Sequence, residues 1–128
     1  MPTIATVHAA LDQATATALA GYTVFYSNQN TTPQTSTYIK QRVFFQNSNQ
    51  FELGNTTSGR TRGTLVFMFH VKKGSGSAVL NTLQQIVLTS FRSKTIGGAV
   101  LQNANMSAAG ETEQWAIHTV QVPFYFDS

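Results

Sequence analysis

Few side chains in this sequence are of the kinds that do chemistry, and their spacing limits what they can do. The five acidic residues are Asp12, Glu52, Glu111, Glu113 and Asp127. Glu111 and Glu113 stand two apart, so on a strand they would share a face. Paired carboxylates can exchange protons when a cleft perturbs their pKa values. Here they flank a turn beside Gly110 and Gln114, and a solvated rim accounts for them. His8, His70 and His118 could in principle hold zinc, but none has a second ligand at local spacing. If the strands carrying His70 and His118 pair, the two residues become cross-strand neighbours, which is a structural role.

Lys72-Lys73-Gly74-Ser75-Gly76-Ser77 precedes a helical pattern, and helix N-termini attract anions. A phosphate-binding loop needs its lysine after the glycines, directly before Ser or Thr. Here the lysines come first, so a flexible strand-to-helix connection is the better account. Gly74-Ser75-Gly76 is too short for a nucleophile elbow. The chain has no cysteine, which excludes disulfides and thiolate metal sites. These patterns give no support to an enzyme, and no metal or cofactor is expected.

Four cations remain to be explained. Arg60, Arg62, Lys72 and Lys73 sit at the ends of a central strand, next to a polar arm. On one monomer they are an ordinary solvated face. Repeated by symmetry around a ring, they would line a channel and touch phosphates without reading sequence. Trp115, at the head of the last strand, reads as a core or interface anchor more than as a stacking platform.

The elements that position these residues follow from periodicity. Residues 64–72 alternate Leu65, Phe67, Phe69 and Val71 on one side with Thr64, Val66, Met68 and His70 on the other. That is a strand, apolar enough on both faces to be covered. After the Gly/Ser connection, Leu80, Leu83, Val87 and Phe91 recur at helical spacing, widened by Val79, Ile86 and Leu88. This helix should end near Ser93-Lys94, with Gly97-Gly98 just beyond. At the N-terminus Thr3 caps a helix carrying Ile4, Val7, Leu11, Ala14 and Ala18 and ending at Gly21. Its small residues either let another element approach closely or merely supply helix propensity.

Residues 22–26 and 38–45 read as strands, the second with Ile39, Gln41, Val43 and Phe45 on one face and Tyr38, Lys40, Arg42 and Phe44 on the other. Residues 27–37 form a polar loop. Residues 46–63 are polar again, interrupted only by Phe51 and Leu53, and predict an arm or hairpin that orders against a neighbour. Residues 99–101 begin another strand, residues 107–110 mark a turn, and residues 113–126 form a long closing strand. In it Pro123, lacking an N–H, is expected at a sheet edge or past a bulge. The sum is an α+β domain over residues 1–128, a mainly antiparallel sheet with two amphipathic helices on one face.

Composition points the same way. Of 128 residues 41% are hydrophobic, enough for a core, but only 10% are charged, against roughly 25% in ordinary domains. Thr, Ser, Asn and Gln fill the deficit. Such a surface suits a protein covered in an assembly, though a secreted β-rich domain is also compatible. The net charge of +3 is mild and spread along the chain, unlike a dedicated nucleic-acid binder. No basic residue precedes an apolar run at the N-terminus, and no apolar run is long enough to span a bilayer. Synthesis in the cytoplasm is the expectation.

One resemblance is carried by order and spacing. Arg62-Gly63 enters a strand that ends near Gly74 and Gly76, and a helix then closes on Phe91-Arg92. Trp115 leads into alternation ending at Val122-Pro123-Phe124 and Asp127, and a short helix opens at Pro2-Thr3-Ile4. This resembles the small tail-terminator family of long-tailed bacteriophages, over most of the chain. Lys72-Lys73, where a proline is common, and the Asn/Thr-rich loops depart from it.

The resemblance implies a structural virion protein without catalysis, made in the host cytoplasm. It implies a homo-oligomeric ring, generally a hexamer, that caps the head-proximal end of the tail tube, stops its polymerisation and meets a neck or head-completion protein. DNA would pass through its lumen. Arg60, Arg62, Lys72, Lys73, Phe51 and Trp115 are the residues expected at the subunit interface or lumen. A neck or head-closure protein and a tail-tube subunit are the nearest alternatives, and a nucleic-acid-binding module or a small enzyme are more distant ones.

Overall fold

A hydroxyl pair starts the first helix. Thr3, in extended backbone, accepts the Thr6 N–H at 3.1 Å, and the Thr6 hydroxyl accepts the Thr3 N–H at 2.8 Å. This reciprocal cap satisfies two of the four backbone donors a helix start leaves open. Helix α1 follows at Ile4–Ala18. The computed structural model describes residues 3–26, 37–50, 59–73, 78–111 and 115–127. Strand β1 is Thr23–Phe25, β2 Tyr38–Gln50 and β3 Gly59–Lys72, followed by helix α2 at Ala78–Phe91. Then come β4 Thr95–Ile96, β5 Ala99–Leu101, β6 Asn105–Glu111 and β7 Trp115–Asp127.

The strands form one sheet in the order β1-β2-β3-β7-β5-β4, with β6 also paired to β7. Every pairing is antiparallel except the short parallel one between β1 and β2. Strands β3 and β7 pair along their length, from Arg60 opposite Asp127 to Lys72 opposite Trp115. One sheet face carries Ile39, Leu65, Phe67, Phe69, Val120, Val122, Phe124 and Phe126, all buried. Val7 and Leu11 of α1 and Leu83, Val87 and Phe91 of α2 close over it. Each fully buried Phe contributes about 2–3 kcal/mol by leaving water. The architecture is the α+β arrangement the periodicities predicted.

Gly63 shows why sequence and register must agree. It sits between Phe45 and Phe124 on the helix-facing side. A Cβ there would overlap the Phe44 carbonyl oxygen and the Phe124 ring. Without one, the Phe45 and Phe124 rings meet edge-on at 5.7 Å across it. At Gly97, φ is +59° and an added Cβ would overlap Ala10 of α1. The small residues of that helix do admit a neighbour at close range.

Several expectations need correction. Ile4 is not part of the core stripe but 53% exposed. Thr15 is buried in that stripe instead, its hydroxyl donating to the Leu11 carbonyl at 2.9 Å. The predicted arm is shorter, because β2 continues to Gln50 past a bulge between Phe45 and Asn47, and β3 starts at Gly59. Residues 27–36 and 51–58 lie outside the described residues, and so does the Gly/Ser connection at 74–77. Residues 107–110 are not a turn but part of β6. Although β3 and β7 pair, His70 faces Ile117 and His118 faces Phe69, which puts the two histidines on opposite sides of the sheet.

Pro123 is not at an edge. It lies inside β7, opposite Thr64 of β3. Its carbonyl accepts from the Gln102 N–H at 2.8 Å, so this residue's backbone groups point away from β3. On that side the neighbouring strand breaks between Leu101 and Asn105. The missing N–H therefore falls at an interruption and removes no ladder bond.

Candidate functional site

The alternation that sends one set of side chains under the helices sends the other to the open face of the same sheet. In β2 that set is Tyr38, Lys40, Arg42 and Phe44, and in β3 it is Arg60, Arg62, Thr64, Val66, Met68, His70 and Lys72. In β7 it is Trp115, Ile117, Thr119, Gln121, Pro123, Tyr125 and Asp127. Neither helix packs here. Five of the eight basic residues (Lys40, Arg42, Arg60, Arg62 and Lys72) share this face, and Asp127 is the one carboxylate among its described residues. The cations are scattered in sequence, and the register gathers them.

The helical layer differs in kind. Helix α2, AVLNTLQQIVLTSF, has no charged residue, and α1 has only Asp12 beside His8. A groove of about 660 Å³ runs between α1 and the end of α2, lined by Ala10, Ala14, Ala18, Thr89, Ser90 and Ile96 among others. Beneath α1, buried Gln41 donates to Asp12 at 3.0 Å and to the Thr15 hydroxyl at 3.4 Å. His8 Nε2 lies 3.6 Å from the other Asp12 oxygen. These contacts tie α1 to β2, while His70 and His118 stand elsewhere. Among the described residues no three His, Asp or Glu side chains gather as a metal site would require.

At one end of the open face an aromatic cluster forms. Tyr38 stacks on His70 with centroids 4.3 Å apart, and Phe25 and Trp115 meet Tyr38 edge-on at 5.9 and 5.2 Å. His70 is buried, its Nδ1 3.3 Å from the Met68 carbonyl oxygen. Burial pushes its pKa below the ordinary histidine value, outweighing the opposing pull of that carbonyl, and nearby Lys40 pushes the same way. The ring is therefore neutral at physiological pH. At the other end Arg60 holds Asp127 through two bonds, 2.9 and 3.3 Å, and lies 4.0 Å over the Tyr125 ring. The hydrogen bonds from Arg60 hold the Asp127 carboxyl below the usual carboxylate range.

The residues singled out from sequence thus fall into two groups. Arg60 and Arg62 stand at one end of β3, and Lys72, Lys73 and Trp115 at the other, on the order of 40 Å away along an extended strand. One protomer does not bring the four cations together. Phe51 lies outside the described residues. Sequence reasoning missed Lys40 and Arg42, although the alternation of residues 38–44 already set them on one face. Arg42 Nη1 donates to the Phe25 and Gln41 carbonyls at 3.1 and 2.8 Å, holding the side chain across the end of β1.

Three comparisons with known proteins bear on this site. A family model described as phage tail terminator protein matches residues 5–124. No curated protein matches the sequence. A solved structure, titled only with a sequence identifier, is similar over 98% of this chain and 94% of its own, with a TM-score of 0.64 at 18% identity. At that identity the likeness concerns the fold.

Proposed function

The chain belongs to the phage tail terminator family, and we propose that it acts as one domain over residues 1–128, closing into a ring at the head-proximal end of the tail tube. A structural role in the phage tail follows from the family. In this reading the ring, a hexamer, stops tube polymerisation and presents the joint to a neck or head-completion protein. It does so without catalysis, as a component of the virion. Subunits meet through heterologous contacts, the geometry that closes when the rotation per subunit divides a full turn.

The family match over nearly the whole chain is the observation that carries this reading. The absence of charge from α2 supports it, since interface cores are depleted of Lys, Glu and Asp. Trp115 and Phe51 are the apolar residues proposed at subunit contacts. Arg60, Arg62, Lys72 and Lys73 are proposed at the interface or lumen.

The test is native mass across a concentration series, with and without tail-tube protein, and electron micrographs of the same fractions. Closed rings of one size are expected. Long stacked tubes of this chain alone would make it a tube subunit. A chain that stays monomeric even beside tube protein would remove the ring.

A further inference from the structure

We infer that the groove between the two helices seats helix α1 of a second copy of this chain, docked through its Ile4–His8–Asp12 flank. The two halves of such a contact lie at different places on one helical layer. Val7 and Leu11 turn inward, which leaves Ile4 on the flank it shares with His8, one turn on, and 53% exposed. That flank faces β2, where the His8 ring meets Phe45 and Asp12 meets Gln41. Ala10 and Ala14 fall on the other flank, where with Thr89, Ser90 and Ile96 they line the groove. A large exposed aliphatic side chain and a groove lined by alanine are complementary without being the same patch.

Spacing, length and charge all fit that occupant. Along α1 the groove is lined by Ala10, Ala14 and Ala18, which repeat every four residues. Ile4, His8 and Asp12 repeat at the same interval, and ridges of that spacing interdigitate when two helices pack. Each run rises on the order of 12 Å along the helix axis. Lys94 is the one charged residue among those lining the groove, and Asp12 is the one carboxylate on either helix. Lys94 is exposed and has no ion pair among the described residues, while the Asp12 side chain stays 36% exposed beside His8. The other large exposed apolar side chains, Phe44 and Met106, stand on strands, and a groove between two helices has the shape of a helical ridge.

Because ridge and groove are different patches, the contact is heterologous and can repeat from copy to copy. It rests on the proposed ring only for closure. The test is sedimentation of the full chain across a concentration series, alone and with tail-tube protein. Ile4→Ser removes the apolar head of the ridge, and Thr89→Trp, at an exposed position, fills the groove. Each should weaken self-association about tenfold or more, since burying one aliphatic side chain contributes at least that factor. Mixing the two variants is decisive. The first keeps its groove and the second its ridge, so a single contact can form, and a 1:1 dimer with nothing larger is expected. Met106→Ser, which removes an apolar side chain of similar exposure on β6, should leave association unchanged. Circular dichroism confirms that each variant is folded.

An Ile4→Ser chain that assembles like the wild type would overturn the inference, as would a mixture that stays monomeric or an equal loss in Met106→Ser. Wild-type rings that persist in both groove and ridge variants keep the ring and sink this contact. Wild-type association that ends in dimers or open chains, and is lost in both variants, keeps the contact and sinks the ring. A wild type that never associates in either condition removes both.

Discussion

The two faces of this sheet come from the same strands, and they differ in what covers them and in the charge they carry. Phe67 and Met68 are neighbours in β3. Phe67 is fully buried under the helices, tilted against Phe91 at 5.1 Å, and Met68 lies half-buried between Lys40 and Thr119 on the open side. One face is dry, aromatic and closed by α1 and α2. The other carries most of the chain's positive charge around a smaller aromatic cluster. Core packing and positive charge are thus separated by strand parity, so a substitution can strike one and spare the other.

The largest expected effect tests that separation directly. Phe67→Ala should destabilise the fold by about 3–5 kcal/mol, because a cavity adds to the lost transfer energy. Met68→Ala, one residue on, should cost clearly less in the same urea titration. Equal costs would mean that the open face is packed as tightly as the core. Next comes Gly63→Ala, which sets a methyl group against the Phe44 carbonyl and the Phe124 ring. Overpacking of this kind costs about 1–3 kcal/mol. A thermal scan should show a lower Tm, and pairing the change with Phe124→Leu should recover part of it by making room.

How much of this was legible beforehand depended on whether a residue's signal was local. Helices α1 and α2 and strand β3 announced themselves because their apolar residues repeat at the period of the element. Strand β6 did not. Ser107, Ala108, Ala109 and Gly110 are small and turn-like in composition, and what makes them a strand is the ladder with β7. The extensions of β2 to Gln50 and of β3 back to Gly59 were hidden for the same reason, since polar strands are held by backbone pairing that no side-chain pattern reports. The open face was half legible. Lys40 and Arg42 share a parity that could be counted, but their joining with Arg60 and Arg62 depends on a register between strands. Asp127 lies 67 positions from Arg60, and no local spacing could have paired them.

A smaller effect concerns His70 on the open face. Its folded-state pKa is lowered by burial, while in the unfolded chain it titrates near an ordinary 6.5. Below about pH 6.5 the unfolded chain therefore binds a proton that the folded one resists. By linkage, stability is full above that pH and declines as pH falls toward the folded value. His70→Phe keeps a ring against Tyr38 and removes the titration. Chemical denaturation from pH 7.5 to 5 should fall less steeply for this variant than for the wild type. Parallel curves would mean that the ring accepts its proton freely and that this end of the face is open to water.

The smallest expected effect lies at the other end of that face. Asp127 pairs with Arg60 at the surface, with side chains 51% and 29% exposed, and exposed pairs contribute little to stability. The carboxyl's pKa is depressed first by the Arg60 hydrogen bonds and then by its charge. Its contribution is thus present above the unfolded value of about 3.9 and lost as pH falls through the folded one. Asp127→Asn should lower stability slightly at neutral pH, and the difference from the wild type should shrink as pH falls through the carboxyl's depressed folded pKa, where the wild type loses the same contribution. A difference that held constant into acid would mean that Asp127 acts through packing and not through its charge.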